Sequence, residues 1–218
     1  MRYRGICFDF DYTLADATDS IVAGFQSALQ EMGWPTPGRE EIRATIGYFL
    51  EDAYTMLTGD ASEEGRTRFN PLYQKTALPM QLAGIPLFPG AEELLKGLKA
   101  RGMRLAIVSS RRSVSILPTL EQRGLLQDFD VVIGGEGVKG HKPDPEGLLL
   151  AMEKLGVEKE EFLYCGDTVL DAGAAKNAGV DFAAVLNGTT PMREFMSWPC
   201  ACIAKDLIGL KAWLEEDL

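Results

Sequence analysis

Two acids one residue apart close the first apolar run of the chain, in Asp9-Phe10-Asp11-Tyr12-Thr13. Alternation along an extended chain puts Asp9 and Asp11 on one side. Carboxylates that close repel each other unless a cation or a shared proton intervenes. Two chemistries tolerate the crowding. A Mg²⁺ site takes one or two protein carboxylates and leaves positions for water and phosphate oxygens. An acid–base division of labour lets one carboxylate attack while the other carries a proton. An acidic turn after a strand has the same local sequence, so the decision falls to the rest of the chain.

Four further groups stand at comparable places. Ser109 and Ser110 follow an apolar run over 105–108. Lys142 sits in His141-Lys142-Pro143-Asp144-Pro145. Asp167 and Asp171 sit in Gly166-Asp167-Thr168-Val169-Leu170-Asp171, where a strand becomes a helix. Each has an ordinary reading alone. Ser109 and Asp167 suit helix caps, and Lys142 suits a solvated loop. Their joint occurrence at the carboxyl ends of strands is the signal, because that edge of a parallel sheet is where such folds bind ligands. Arg43, Arg111 and Arg112 carry the charge to meet a substrate carboxylate, yet a solvated position is expected for each. His141, the only histidine, has no partner at metal or triad spacing and is read as a loop residue.

The elements that must position these groups follow from hydrophobic periodicity. Residues 3–10 read as a buried strand. Residues 18–78 turn helical: Ile21, Val22, Phe25, Leu29 and Met32 fall at three- and four-residue spacings, one face of a helix. Shorter helices are expected over 40–46, 50–57 and 63–78, with no strand among them. Beyond a breaker-rich connector over 84–90, strands over 105–108, 131–133, 162–165 and 182–186 alternate with helices over 91–100, 113–123, 145–155, 169–178 and 207–214. That alternation predicts an α/β fold: a parallel sheet covered by helices on both faces, with the helical stretch inserted after the first strand.

Composition bounds the function. The 218 residues carry 22 Lys and Arg against 32 Asp and Glu, a net charge of −10. That balance excludes a broad nucleic-acid-binding surface but not a single locally positive site for a small anion. No apolar run is long enough for a membrane span, and the first residues do not resemble a secretory signal. Cys7 and Cys165 lie in apolar runs and are expected to pack as small hydrophobes. Cys200 and Cys202 are too closely spaced for a zinc knuckle. A reducing, cytoplasmic setting is the expectation.

Taken together, the Asp9/Asp11/Thr13 segment, Ser109, Lys142 before Pro143, and Gly166-Asp167 with Asp171 resemble the four signature motifs of the haloacid dehalogenase-like hydrolase superfamily. They occur in the family's order across nearly the whole chain. The resemblance implies a Rossmann-like core over 1–15 and 84–218 and an inserted α-helical cap over 16–83, as in the phosphoglycolate phosphatase and β-phosphoglucomutase branch. It implies a Mg²⁺-dependent phosphatase for a small phosphorylated metabolite, with phosphoglycolate the first choice, acting as a monomer or homodimer. Asp11 separates the chain from the family's dehalogenases, which lack it.

By that resemblance Asp9 is the nucleophile that becomes an aspartyl phosphate, and Asp11 the acid and base. Asp9, the main-chain carbonyl of Asp11, and Asp167 hold Mg²⁺. Asp171 lies in the outer shell or orients Lys142, and Thr13 also lies behind the ligands. Lys142 and the Ser109 hydroxyl hold phosphate oxygens, with Ser110 a weaker candidate. Gly47, in the cap loop Thr45-Ile46-Gly47-Tyr48, is the expected cap contact, and joints over 15–18 and 83–90 allow the cap to close. Tyr12 departs from the Gly frequent at its position, so the loop is expected to be ordinary in φ, with the ring at the entrance. A β-phosphoglucomutase-like isomerase is the alternative, though Tyr48-Phe49-Leu50-Glu51-Asp52 lacks the Arg such a cap carries soon after its Gly. A pyrophosphatase or nucleotidase of the same family, and a receiver-like signalling domain, are further alternatives.

Overall fold

The structure is a computed structural model describing residues 2–216. In chain order, strand β1 (Gly5–Phe8) leads into four helices: α1 (Thr18–Met32), α2 (Arg39–Arg43), α3 (Leu50–Thr58) and α4 (Glu63–Leu82). Then come α5 (Ala91–Ala100), β2 (Arg104–Val108), α6 (Ser113–Gln122), β3 (Val131–Ile133), α7 (Glu146–Leu155), β4 (Phe162–Gly166) and α8 (Val169–Ala178). The last described elements are β5 (Asp181–Val185), α9 (Met192–Phe195), β6 (Cys200–Ala204) and α10 (Leu207–Glu216).

All strand pairings are parallel, in the order β3-β2-β1-β4-β5-β6. From β1 the chain builds outward through β2 to β3, then crosses back to lay β4 on the other flank. The order therefore reverses between β1 and β4, the place where open α/β sheets form a crevice at their carboxyl edge. Phe8 pairs with Cys165 there, so the residues that follow both strands meet.

Each face of the sheet carries its own apolar layer. Ile6, Phe8, Leu105, Ile107, Leu163 and Val185 pack on one side, and Cys7, Ala106, Tyr164, Phe182 and Ala184 on the other. Both faces are covered, which is why the strands read as unbroken apolar runs. Cys7 and Cys165 are fully buried.

The inserted helices hold together through aromatic packing. Phe25 of α1 lies 5.1 Å from Phe69 and 5.3 Å from Tyr73 of α4. A Cβ at Gly24 would come within 2.7 Å of the Tyr73 ring, so the absence of a side chain there sets how closely α1 approaches α4. The two segments that join the insertion to the sheet run side by side. Phe88 N–H donates to the Leu14 carbonyl at 2.9 Å, and Asp16 N–H to Pro86 at 2.8 Å.

The structure departs from the sequence-based expectation in a few places. β1 is shorter than 3–10, because the chain turns at Asp9 to fold back on itself. Leu14 and Ala15 N–H both donate to the Phe10 carbonyl at 2.9 Å. α4 runs to Leu82 although Pro71 and Pro79 lie inside it. β6 was not expected. Its Cys200 and Cys202 pair with Phe182 and Ala183 across a register irregularity, and its short run of mostly small, half-exposed residues, with one β-branched side chain, disguises the strand in the sequence.

Candidate active site

The turn after β1 carries the first two acids. Asp9 N–H still donates to the Cys165 carbonyl at 2.9 Å, which locks its side chain above the crevice. Asp11 is not placed by strand alternation. The intervening backbone leaves the strand, and Tyr12 has φ +56°, the left-handed region. The expected ordinary φ is therefore corrected. The conformation costs about 1–2 kcal/mol for a residue with a Cβ. It is held by a phenol that is buried, not at the entrance: its hydroxyl lies 2.7 Å from Thr18 Oγ1 and accepts from Arg43 Nε at 3.0 Å.

Around Asp9 the structure gathers Lys142, Asp167 and Asp171. Lys142 Nζ lies 3.1 Å from Asp9 Oδ2 and 2.6 Å from Asp171 Oδ1, with its side chain only 6% exposed. Burial pushes the Asp9 carboxyl up to about 6 despite the opposing pull of Lys142. Asp167 is also pushed up, first by burial and then by Asp171 and Asp9. For Asp171, burial is outweighed by Lys142, and the net shift is downward. Burial lowers Lys142, but the two acids beside it win and hold its charge. Three buried carboxylates thus share one ammonium, which leaves an excess of negative charge in a water-poor place.

The residues fit a hard divalent cation. Carboxylate oxygens of Asp9, Asp167 and Asp171 lie within 4.8 Å of one another. Asp9 Oδ1 is buried without a hydrogen-bond partner. Oxygen-only donors and uncompensated charge are what Mg²⁺ requires. Asp171 is the least available of the three. Its Oδ1 accepts from Lys142 and from Tyr164 Oη at 2.8 Å, and its Oδ2 from Thr168 N–H at 3.0 Å and Oγ1 at 2.6 Å. Those bonds follow from its place on the first turn of α8, where Thr168 and Asp171 form a capping box. Thr13 Oγ1 donates to Asp167 Oδ1 at 3.1 Å.

Above this cluster lies a cavity of about 90 Å³ between the sheet edge and the inserted helices, lined in part by Asp9, Asp11, Ser109, Ser110 and Gly47. Ser110 Oγ donates to the Gly47 carbonyl at 3.0 Å, so Ser110 is tied to the inserted loop. Gly47 has φ +104°, and a Cβ there would meet Thr168 Cγ2 at 2.8 Å. The loop can approach only because residue 47 lacks a side chain. Phe49 stacks on His141 with ring centroids 3.7 Å apart and planes 14° apart, a contact that gives the histidine a packing role.

The arginines separate. Arg43 is half-buried and tied to Tyr12 and Glu40. Arg112 is exposed at the cavity rim. Arg111 corrects the expectation of a solvated position: its side chain is 6% exposed and grips both Asp11 oxygens, at 2.8 and 2.9 Å. Other contributors were not singled out from sequence. Tyr164 holds Asp171 from within β4. Asn187 Nδ2 donates to the Thr13 carbonyl at 3.2 Å. A Cβ on Gly188 would fall 2.0 Å from Asp167 Oδ2. A glycine after a strand end was the only signal for the last.

Comparison with known proteins identifies the family. The sequence profile described as haloacid dehalogenase-like hydrolase matches residues 6–185. A phosphoglycolate phosphatase of Nitrosospira multiformis is 31% identical over 209 residues, covering 94% of this chain and 92% of that protein. Probable phosphatase IndB of Dickeya dadantii is 37% identical over 180 residues, covering 80% and 77%. A crystal structure from Bacteroides fragilis, solved under the description haloacid dehalogenase-like hydrolase, superposes with a TM-score of 0.92 at 41% identity, covering 95% of this chain and 99% of that one. The sheet order, the acids at its carboxyl edge and these likenesses lead to one statement: the chain belongs to the haloacid dehalogenase-like hydrolase family.

Proposed function

We propose that the protein is a cytoplasmic, Mg²⁺-dependent phosphatase that hydrolyses a small phosphorylated metabolite, phosphoglycolate being the first candidate, through an aspartyl-phosphate intermediate. The observation that carries the reading is Asp9. One of its oxygens lies 3.1 Å from Lys142 Nζ, the other is buried without a partner, and the residue borders the cavity. A carboxylate so held keeps little rotational freedom and presents an oxygen for in-line attack on phosphorus.

Asp9, Asp167 and the main-chain carbonyl of Asp11 would hold Mg²⁺, which when bound supplies positive charge against the phosphate and the crowded acids. The remaining work belongs to the chain. Lys142 neutralises the equatorial phosphate oxygens, and the Ser109 hydroxyl binds one of them. Asp171, Tyr164 and Thr168 position Lys142. Asp11 gives a proton to the departing oxygen and takes one from the water that cleaves the acyl phosphate. The helical insertion over 16–83 acts as a cap, hinged where its two joining segments pair, and excludes water when closed. Names given to relatives support the reaction class: phosphatase and phosphoglycolate phosphatase.

The test is phosphate release from a panel of phosphate esters, with Mg²⁺ and with chelator, by wild type and Asp9→Asn in parallel. Mg²⁺-dependent release that vanishes in the variant is expected. Folded wild type that releases phosphate from no ester refutes the reading.

A further inference from the structure

Arg111 raises a question that the hydrolytic scheme leaves open. Its guanidinium grips both oxygens of Asp11 in a two-pronged, nearly dry ion pair, with another of its nitrogens 3.3 Å from Ser115 Oγ. While that grip lasts, both Asp11 oxygens are engaged by Arg111, and the carboxylate cannot turn toward an ester oxygen without breaking the pair. Releasing it exposes a buried positive charge, and a buried charge stripped of its partner is strongly unfavourable. The release therefore needs another anion, delivered to Arg111 when substrate enters.

The cavity supplies the rest of a receptor for that anion. Gln81 lines it, and its buried side-chain nitrogen has no hydrogen-bond partner. Tyr73 lines it too. Its hydroxyl is pushed up to about 12, chiefly by burial, and stays a neutral donor. The guanidinium can only donate, and the Gln81 amide nitrogen and the phenol beside it add donors, a lining that suits an incoming acceptor. Its charge is limited by Glu51, which lines the same cavity. Asn70 satisfies one Glu51 oxygen at 2.9 Å, while the other is buried and unpartnered. A second phosphate would bring more negative charge beside that carboxylate than one carboxylate does, and Arg111, the buried one of the two guanidiniums that line the cavity, already pairs two-pronged with one carboxylate.

We propose that Arg111 selects the substrate: it exchanges the Asp11 carboxylate for one carboxylate borne on the carbon that carries the ester oxygen, and the exchange frees Asp11 to face that oxygen. The inference rests on the phosphatase reading above and assigns its specificity to one residue. Esters whose leaving group is neutral leave Arg111 on Asp11 and turn over slowly, even though their phosphate fits the same place.

The experiment uses the full chain with Mg²⁺ and compares phosphoglycolate with 2-hydroxyethyl phosphate, which has the same short chain and a neutral end. Ethylene glycol bisphosphate and para-nitrophenyl phosphate complete the set. In wild type, kcat/KM should favour phosphoglycolate over hydroxyethyl phosphate by at least about 10²-fold, a threshold set below the roughly 10⁴–10⁵ by which a site built for a polar group rejects an analogue that lacks it. Arg111→Met should bring that ratio to within about fivefold of unity, and Arg111→Lys should restore part of it. A merely structural role would depress both esters and preserve the ratio. A wild-type ratio near one, a ratio that survives Arg111→Met, or a preference for the bisphosphate overturns the proposal while leaving the phosphatase reading intact. If Arg111→Met does not fold, an unchanged ratio in Arg111→Lys overturns it equally. Failure of the folded wild type on every ester, para-nitrophenyl phosphate included, overturns both.

Discussion

Asp11 and Arg111 form one electrostatic unit, so a change in either should be felt by the other. Burial works against the Arg111 charge, but Asp11 outweighs it and holds the guanidinium in its charged form. Asp11→Asn leaves that charge with half a partner. A loss on the order of 3 kcal/mol is expected from breaking a nearly buried pair. Adding Arg111→Met should recover most of it, because the stranded charge goes too. Denaturant unfolding of the two single variants and the double variant measures the coupling; simple additivity would show that the pair is not coupled as described. Gly188 gives a second prediction at this scale. A Cβ there would overlap Asp167 Oδ2 at 2.0 Å, so Gly188→Ala should displace Asp167 and weaken Mg²⁺ affinity by about tenfold or more, the range seen when groups supporting a metal ligand are disturbed. Calorimetric titration with Mg²⁺ reads this directly, and unchanged affinity would remove Gly188 from the account.

At the scale of elements, one loop between α2 and α3 joins the inserted helices to the sheet. Gly47 brings the loop against Thr168, Ser110 ties its carbonyl to the core, and Phe49 stacks on His141. Gly47→Ala combines an unfavourable φ with a 2.8 Å overlap. The loop must lift, and the inserted helices with it. A displacement near 1 Å can cost about 10² in rate, so kcat/KM on the best ester should fall by that order. The change in Tm should stay small, because the Phe25, Phe69 and Tyr73 packing that holds α1 to α4 does not involve residue 47. Activity retained at the wild-type level would mean that loop position does not govern turnover.

For the whole molecule, the crowded acids tie stability to pH and to the cation. Burial pushes the Asp9 carboxyl up to about 6 from an ordinary 3.8. The folded chain therefore holds this proton more tightly than the unfolded chain. The stability it contributes is complete below about pH 4 and is lost as pH rises through about 6. Asp167 shifts in the same direction. A divalent cation held by the ionised acids, as proposed, would restore what they cost. At free Mg²⁺ about a hundredfold above Kd the gain is about 2.7 kcal/mol, several degrees in Tm for a chain of this size. The Mg²⁺-induced rise in Tm should be clearly larger at pH 7.5 than at pH 5. Thermal scans showing equal rises at both would contradict the assignment of the cation to these carboxylates.

What the amino-acid sequence determined alone was local. Apolar runs ending in Asp9, Ser109 and Asp167, each followed by helical periodicity, announce buried parallel strands with polar groups at one edge. Neighbours in sequence suffice to state that pattern, because strand burial and helix capping are short-range physics. The insertion was legible for the same reason, since residues 18–78 lack any period-two segment. Tertiary structure decided whatever depends on residues far apart in the chain. Arg111 meets Asp11 across 100 positions, Tyr164 reaches Asp171 from another element, and Gly188 makes room for Asp167. Edge strand β6 gains its identity only from its partner β5. A buried charge is tolerable only where a distant partner arrives, and that arrival is settled by packing the whole chain, not by spacing along it.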